Sequence, residues 1–311
     1  MLFQHKDILL NNDDPEEEYR RRKDEEKKSI SWGQRKLLLT LVSFLTEHCM
    51  DIENAIILYV GAGPGVNIGI TADLFPKFTF HLYDPAKFKI KTDFSKKIIV
   101  YNKKFTDEIA EFWSKKNNII FISDIRTADY TKTKDLNENE NQILSDMEHQ
   151  KRWVEIIKPV KSHLKFRLNY TGDGRQEKME YFDGIIYKQP YAPNTSSETR
   201  LVLTSSDLKY KTYDCKKYES QMFYHNIIIR EQNKYEKSIV DGVELVNDWD
   251  SCCELEIWKK YLEINDSEED ILKLSEKSTV LLTKGRKYQD TLAYLRANPQ
   301  AIKNRNFKRK K

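Results

Sequence analysis

The stretch AIILYVGAGPGVNI (55–68) decides the fold of this chain. Residues 55–60 form a continuous apolar run, which is typical of a strand buried on both faces of a parallel sheet. Glycines follow at positions 61, 63 and 65, and glycine lets the backbone turn sharply and approach a ligand closely. We therefore predict a strand, a glycine-rich turn and a helix, with a ligand bound at the carboxyl end of the strand.

Further strand-like and helix-like segments alternate on either side of this stretch. Strands are predicted at 78–84, 96–102, 117–124 and 162–170. Helical periodicity is found at 32–48, 106–116 and 142–158, with a polar loop at 128–140. Such alternation predicts an α/β fold with a doubly wound, Rossmann-like parallel sheet. Two more strands are indicated by YFDGIIY (181–187) and ETRLVLTSS (198–206), and extra helices by 216–232, CELEIWKKYLEI (253–264) and GRKYQDTLAYLRA (285–297).

The segments group into one domain with a charged stretch at each end. The 311 residues, of which 39% are hydrophobic, suffice for one sizeable core. Residues 1–30 are dense in charge and indicate a solvated arm, whereas residues 31–296 contain the elements of a single domain. Within that domain we expect helical decoration from about residue 235 to 296, and residues 297–311 form a basic tail.

Composition narrows the class of protein. Lys and Arg total 53 against 49 Asp and Glu, so the net charge of +4 gives no general affinity for polyanions, and local basic clusters would have to bind them. Four cysteines without zinc-ligand spacing indicate reduced thiols in a cytoplasmic protein and no bound metal. No apolar run is long enough to span a membrane, and no secretory signal is visible.

An acid after the second strand indicates what the glycine turn binds. Asp84 follows Gly61 by 23 residues, where an acid receives the ribose hydroxyls of an adenosine-type ligand. A dinucleotide fingerprint needs glycine at position 66, which is valine, and Pro64 intrudes into the turn. The site therefore suits an adenosine without a pyrophosphate, such as S-adenosylmethionine, better than NAD.

A lysine within an apolar strand is the second chemical signal. Lys165 lies inside KFRL (165–168), and lysine avoids burial unless a partner neutralises it. Asp124 ends the fourth strand and Glu198 opens a later one, so both could supply negative charge. In open α/β sheets, ligands bind outside the carboxyl ends of the strands. We therefore expect these charged side chains to meet near that edge of the sheet.

Seven short stretches carry a resemblance to a known family. In order they are GQRKLLL (33–39), ILYVGAGPG (57–65), LYD (82–84), ISDIR (122–126), LKFR (164–167), APNTSSETRL (192–201) and YESQMFYHN (218–226). Their order and spacing resemble the poxvirus cap-specific mRNA 2′-O-methyltransferases, which are also stimulatory subunits of the viral poly(A) polymerase. The resemblance implies methyl transfer from S-adenosylmethionine to capped mRNA, with a poly(A) polymerase catalytic subunit as a second candidate partner.

The resemblance places the family's Lys-Asp-Lys-Glu tetrad on Lys36, Asp124, Lys165 and Glu198. A ribose 2′-hydroxyl must lose its proton as it attacks, and a lysine can accept that proton only if its pKa falls well below about 10.4. Burial and a nearby cation both lower the pKa of a lysine. We therefore expect Lys165 to be the general base and Lys36 the cation that lowers its pKa, while Asp124 and Glu198 orient the two amines.

The same resemblance implies a cofactor pocket around the glycine turn. Its lining residues would be Gln34, Tyr59, Gly61, Gly63, Gly65, Asp84, Ile125 and Arg126. Two positions depart from the family pattern, because Asn67 stands where a histidine is found and Ala86 where an arginine follows the ribose acid. Asn67 is retained as a pocket residue, and Lys87 could substitute for the arginine.

A cleft for the cap is implied as well. A methylated guanine is cationic and is bound by stacking between aromatic rings, with an acid on its donor edge. By resemblance, Tyr170 supplies one ring, Asp173 and Glu219 supply acids, and Tyr19 is the candidate for the opposite ring. Contacts to RNA phosphates are expected from Arg167 and from further basic residues, namely Arg20, Arg21, Arg22, Lys103, Lys104 and those of the tail.

Three alternatives compete with this interpretation. A non-catalytic RNA-binding or polymerase-stimulating subunit would not need the tetrad, yet all four residues are present, and one protein could perform both roles. A methyltransferase acting on a base would carry a D/N-P-P-Y type motif after strand four, where this chain has SDIRTADY (123–130). An NAD-dependent dehydrogenase is disfavoured by Val66.

Overall fold

A seven-stranded sheet forms the centre of the computed structural model, which describes residues 2–20, 32–90, 97–128, 135–170, 175–235, 239–240, 243–244 and 248–282. The strands in chain order are β1 (Ile56–Val60), β2 (Thr79–Tyr83), β3 (Ile98–Tyr101), β4 (Ile119–Ser123), β5 (Lys161–Phe166), β6 (Lys178–Phe182), β7 (Ile185–Tyr187), β8 (Thr199–Leu203), β9 (Tyr210–Asp214), β10 (Ile239–Val240) and β11 (Val243–Glu244). The central sheet runs β3-β2-β1-β4-β5-β8-β7. Strands β1 to β5 are parallel, and β8 is antiparallel to both β5 and β7. The predicted α/β fold with a Rossmann-like sheet is therefore confirmed.

Helices cover both faces of this sheet. They are α1 (Trp32–His48), α2 (Val66–Leu74), α3 (Asp107–Trp113), α4 (Leu136–Ile157), α5 (Cys215–Tyr224), α6 (Trp249–Ile264) and α7 (Ile271–Leu282). Side chains of β1 alternate between two cores: Ile57 and Tyr59 join the core beneath α1, α2, α6 and α7, whereas Leu58 and Val60 join the one beneath α3, α4 and α5. This alternation explains the continuous apolar run, since both faces of a central parallel strand are buried.

The chain order reverses between β1 and β4, and this is where open sheets of this type bind their ligands. Gly61 follows β1 and Asp124 follows β4, and the Asp124 amide donates to the Val60 carbonyl at 2.9 Å. A Cβ atom at Gly61 would lie 2.6 Å from the carbonyl carbon of Asp124. Glycine is therefore required for the two strand ends to come this close.

A buried ion pair connects helix α1 to helix α6, and α7 joins the same network. Arg35 of α1 contacts Glu254 of α6 through two hydrogen bonds, from Nη2 at 2.5 Å and from Nε at 2.8 Å. Glu254 also accepts from Ser275 of α7 and from the hydroxyl of Tyr191. This network fixes α6 and α7 against the helix that carries Lys36.

The structure differs from some of the predicted elements. Helix α4 begins at Leu136, within the polar loop predicted at 128–140, because Asp135 caps it by accepting from the amides of Asn137 and Glu138. The stretch YFDGIIY forms two strands in different sheets, since β6 pairs with β9 and β7 pairs with β8. Strand β9 was not predicted, and the predicted helix GRKYQDTLAYLRA lies outside the described residues.

Residues 2–20 pack against the domain, whereas a solvated arm was predicted. Ile8 is 2% exposed and belongs to the core beneath α1, and Leu9 forms a β-bridge to Tyr187. The side-chain amide of Gln221 on α5 donates to three arm carbonyls, those of Asn11, Asn12 and Asp14. This part of the chain is a strap held by defined contacts.

All four cysteines are buried, and each has a free thiol. Among the described residues, no group of three or more His, Cys, Asp or Glu side chains is placed to hold a metal ion. Within the same residues, no helix has both the length and the hydropathy needed to cross a bilayer.

Candidate active site

The four residues of the predicted tetrad converge at the carboxyl edge of the sheet. Lys36 Nζ lies 2.7 Å from Glu198 Oε1, and Lys165 Nζ lies 2.9 Å from Asp124 Oδ1 and 3.9 Å from Glu198 Oε2. The Lys165 ammonium also donates to the backbone carbonyls of Asp124 at 3.2 Å and Ile125 at 3.4 Å. Residues from α1, β5 and the ends of β4 and β8 thus form one charged cluster.

Arg200 belongs to this cluster but was not predicted as a site residue. It lies directly opposite Lys165 in the β5–β8 pairing and is only 1% exposed. Its Nη2 lies 2.7 Å from Asp124 Oδ1 and 3.6 Å from Glu198 Oε1, and its Nε donates to Gln189 Oε1 at 2.8 Å. The signal was available, because an arginine inside the apolar run TRLVL calls for acidic partners as Lys165 does.

Arg126 was predicted to line the cofactor pocket, and the structure pairs it with the tetrad. Its Nη2 contacts Glu198 Oε2 at 2.5 Å, while Lys36 contacts the other oxygen of the same carboxylate. The side chain of Arg126 is 28% exposed, so it borders solvent and the cluster at once. The cluster therefore brings four cations to two carboxylates, the cations being Lys36, Arg126, Lys165 and Arg200.

The surroundings lower the pKa of Lys165. Burial is the largest cause, because it disfavours the charged ammonium. The negative charges of Asp124 and Glu198 oppose this effect, whereas Arg126 and Arg200 add to it. The sequence assigns the role of the neighbouring cation to Lys36, whereas in the structure Arg126 and Arg200 are the cations that lower this pKa. The direction of the shift is the one that a lysine base requires.

The two acids remain ionised. Burial alone would raise the pKa of Asp124, but the charges of Arg200 and Lys165 outweigh it and hold the pKa at about 2. Burial likewise opposes ionisation of Glu198, yet Lys36, Lys165 and the two arginines keep its pKa well below the usual value. Both carboxylates can therefore act as fixed acceptors near neutral pH.

The glycine turn and Asp84 form a cradle beside the cluster. Gly61 and Gly65 have positive φ angles of 77° and 74°, which side-chain-bearing residues rarely adopt. Asp84 accepts from the amides of Gly63 at 2.9 Å and Ala86 at 2.7 Å. A Cβ atom at Gly63 would lie 2.8 Å from the Asp84 carboxyl carbon. The turn is thus shaped around this acid.

Two further predicted pocket residues meet at the start of α2. The side-chain oxygen of Gln34 accepts from the Asn67 amide at 3.2 Å. The side-chain nitrogen of Asn67 is buried and has no hydrogen-bond partner in the described part of the chain. A buried donor is costly unless a ligand satisfies it, so this atom is suited to an anionic or carbonyl oxygen. Tyr59, by contrast, is buried in the core beneath α1.

A cleft lies between the strap and α5. Tyr19 stacks on Tyr170 with ring centroids 5.6 Å apart and planes inclined by 19°, and it makes a T-shaped contact with Phe223, with ring centroids 5.4 Å apart. Glu219 lines the same cleft. The structure therefore brings together three of the four predicted cap residues, while Asp173 lies outside the described residues.

Arg167, expected to meet RNA phosphates, is buried and paired. Its Nη2 contacts Glu140 Oε2 at 2.5 Å, and its guanidinium carbon lies 4.5 Å from the centre of the Tyr170 ring. It therefore supports a wall of the cleft. Other predicted phosphate contacts, namely Arg20, Lys103 and Lys104, are exposed, whereas Arg21, Arg22 and the tail lie outside the described residues.

The sheet order, the glycine turn and the acid that it surrounds define a Rossmann-like methyltransferase fold. The chain belongs to the poly(A) polymerase regulatory subunit family, whose model matches residues 3–289.

Individual relatives carry a methyltransferase name. The chain is 29% identical over 219 residues to the cap-specific mRNA (nucleoside-2′-O-)-methyltransferase of myxoma virus, strain Lausanne, with 64% of this chain and 61% of the relative covered. The fowlpox virus protein of the same name is 28% identical over 223 residues, with 64% and 68% covered. The chain thus spans less than two thirds of the myxoma protein.

Proposed function

We propose that this protein is a cap-specific mRNA 2′-O-methyltransferase. It would transfer a methyl group from S-adenosylmethionine to the ribose 2′-hydroxyl of the first transcribed nucleotide of capped RNA. The observation that carries the proposal is the meeting of Lys36, Asp124, Lys165 and Glu198 in one cluster beside the glycine turn. The names of the viral relatives support the same reaction.

Lys165 would accept the proton of the attacking hydroxyl. Its lowered pKa makes the neutral amine easier to reach than that of an exposed lysine, and Asp124 with two backbone carbonyls fixes the position of its nitrogen. Lys36 is oriented by Glu198 and could donate a hydrogen bond to the ribose. Holding base and nucleophile in line supplies much of the rate in such sites.

The residues of the cradle fit S-adenosylmethionine. The Asp84 carboxylate could accept from the ribose hydroxyls, and the buried Asn67 nitrogen could donate to the methionine carboxylate. When bound, this cofactor supplies an electrophilic methyl group on a positively charged sulfur. Among residues of the cluster, the ionised Asp124 could stabilise that positive charge.

The cleft between Tyr19 and Tyr170 would hold the methylated guanine, with Glu219 on its donor edge. A base inserted between two rings needs about 7 Å between their planes, because each contact takes about 3.5 Å. The two centroids are 5.6 Å apart, so the strap must move outward by roughly 1.4 Å or more for a cap to enter.

A role as a polymerase subunit is the second candidate. It is favoured by membership in the poly(A) polymerase regulatory subunit family, and the match covers residues from the strap to beyond α7. The two roles are compatible, since methyl transfer uses the carboxyl edge of the sheet and leaves other surfaces for a catalytic subunit. The viral relatives support a place of action in the host cytoplasm.

The proposal is tested with labelled S-adenosylmethionine and two RNAs of the same sequence. One RNA carries a methylated cap and the other does not. We expect label to enter the capped RNA far faster and to map to the 2′-oxygen of the first transcribed nucleotide. Label on a base, or equal labelling of both RNAs, would contradict it. The second role is tested by adding a poly(A) polymerase catalytic subunit to the same protein and measuring the length of the poly(A) tail.

A further inference from the structure

A buried ion pair lies behind the aromatic wall of the cleft. Arg167 and Glu140 are 5% and 6% exposed, and their charged groups are 2.5 Å apart. The same Glu140 oxygen also lies 3.4 Å from the Tyr170 amide, which donates to it. Glu140 therefore contacts both the guanidinium and the backbone of the residue whose ring forms the wall.

The Arg167 guanidinium packs over the ring of Tyr170. Its carbon lies 4.5 Å from the ring centre, and Arg167 is buried and is not among the described residues that line the cleft. Tyr19, which does line the cleft, stacks on the same ring. The ring thus separates an arginine from the space in which a base would stack.

That arrangement has an electrostatic consequence. The face of an aromatic ring attracts cations, and a cationic guanine stacked at about 3.5 Å would lie roughly 8 Å from the guanidinium. Two positive charges on either side of one ring repel each other across a partly dry site. Neutralisation of Arg167 by Glu140 removes this repulsion, whereas a neutral guanine would hardly sense it.

We propose that Glu140 is a specificity-determining residue, which sets the preference of this cleft for a cationic, methylated guanine over a neutral one. The inference rests on the proposed function, because it assumes that a cap stacks on Tyr170. It assigns Arg167 the task of supporting the ring and Glu140 the task of balancing its charge. Neither residue needs to touch the ligand.

Binding of two cap dinucleotides to the full chain tests this idea. The methylated m7GpppA and the unmethylated GpppA differ in the charge of the guanine, and neither carries the RNA phosphates of a longer transcript. Calorimetry gives the ratio of their affinities for each variant. Thermal unfolding and binding of S-adenosylhomocysteine verify that each variant is folded.

The two single substitutions are expected to move the ratio in opposite directions. Glu140→Gln leaves Arg167 unbalanced and should lower the preference for m7GpppA by about three- to tenfold. Arg167→Gln leaves Glu140 unbalanced and should raise the preference. The double variant, which contains neither charge, should return to within about twofold of the original ratio. As a control, Asp107→Asn removes the half-buried partner of the exposed Arg152 on α4 and should leave the ratio unchanged.

A merely structural pair gives a different result. If both single variants lose affinity for the two dinucleotides equally, the inference is wrong. It is also wrong if the two single variants and the double variant all keep the original affinity ratio. If a single variant does not fold, a ratio in the double variant that differs more than about threefold from the original overturns it. If neither dinucleotide binds the unmodified protein, the proposed function fails and this inference fails with it.

Discussion

Lys165 and Arg200 lie directly opposite each other on β5 and β8, and both reach the same oxygen of Asp124, at 2.9 Å and 2.7 Å. Like charges in opposite positions of a sheet normally destabilise it. Here the carboxylate lies between them and offsets the repulsion. The arrangement keeps a cation beside the proposed base and holds both side chains in one position.

Removal of the Lys165 amine should abolish methyl transfer. We expect Lys165→Ala to lower kcat for capped RNA by about 10²- to 10⁴-fold, the usual contribution of a general base, with the Kd for S-adenosylmethionine nearly unchanged. Lys161→Ala is the control, since Lys161 is on the same strand and its ammonium donates to the Thr204 carbonyl, away from the cluster. Near-normal turnover in Lys165→Ala would exclude this residue as the base.

The pH profile should report the cation beside the base. The rate rises with pH as Lys165 loses its proton, and Arg126 helps to lower the pKa at which this occurs. Arg126→Gln should raise that pKa and move the acidic limb of the kcat profile to higher pH. Arg152→Gln, on the exposed face of α4, should not move it. A limb that stays in place or moves to lower pH contradicts this account.

The contact between Gly63 and Asp84 can be tested with a single methyl group. Gly63→Ala would place that group 2.8 Å from the carboxyl carbon of Asp84 and should weaken binding of S-adenosylmethionine by about tenfold or more. Gly33→Ala is a matched control, because nothing lies within 4 Å of its added methyl and alanine favours a helix. Equal affinities in calorimetry would show that the turn is not shaped around Asp84.

The strap should contribute to recognition of the cap. Loss of one stacking ring in Tyr19→Ala is expected to raise KM for capped RNA by about tenfold while the Kd for the cofactor stays the same. Tyr210→Ala removes an exposed ring on β9 and should change neither value. Equal KM values for Tyr19→Ala and the unmodified protein would show that the strap does not contribute to cap binding.

The buried pair between α1 and α6 should be a stability determinant. Arg35→Met leaves Glu254 buried without its principal partner, and we expect the free energy of unfolding to fall by about 3 kcal/mol or more. Lys259→Met removes an exposed pair 3.8 Å long with Glu263 and should cost less than about 1 kcal/mol. Denaturant titrations compare the two, and similar losses would contradict the ranking.

The sequence predicted most reliably what local pattern determines. Strands β1 and β4 are apolar runs because both of their faces are buried, and α1 has the bounds that its periodicity indicates. The family resemblance and the chemistry of buried charges together identified the tetrad, whose members are far apart in the chain. The pairing of Lys165 with Asp124 follows from the rule that a buried amine needs a partner.

Contacts between distant segments account for what was missed. The first turns of α4 are polar in sequence, yet one of their residues, Glu140, is buried by Arg167. The strap was obscured by its charge density, although three arm carbonyls satisfy the amide of Gln221. The apolar run TRLVL marks Arg200 as a buried charge, but which acids it pairs with becomes clear only when β5 and β8 are paired.

The consecutive residues Gln34, Arg35 and Lys36 contact the start of α2, helix α6 and Glu198. Successive residues of a helix project about 100° apart, so one turn of α1 reaches three different partners. A small rotation of this helix would alter cofactor binding, the attachment of α6 and the orientation of the proposed catalytic carboxylate together. The three contacts are therefore mechanically coupled, because a change that improves one contact by turning the helix disturbs the other two.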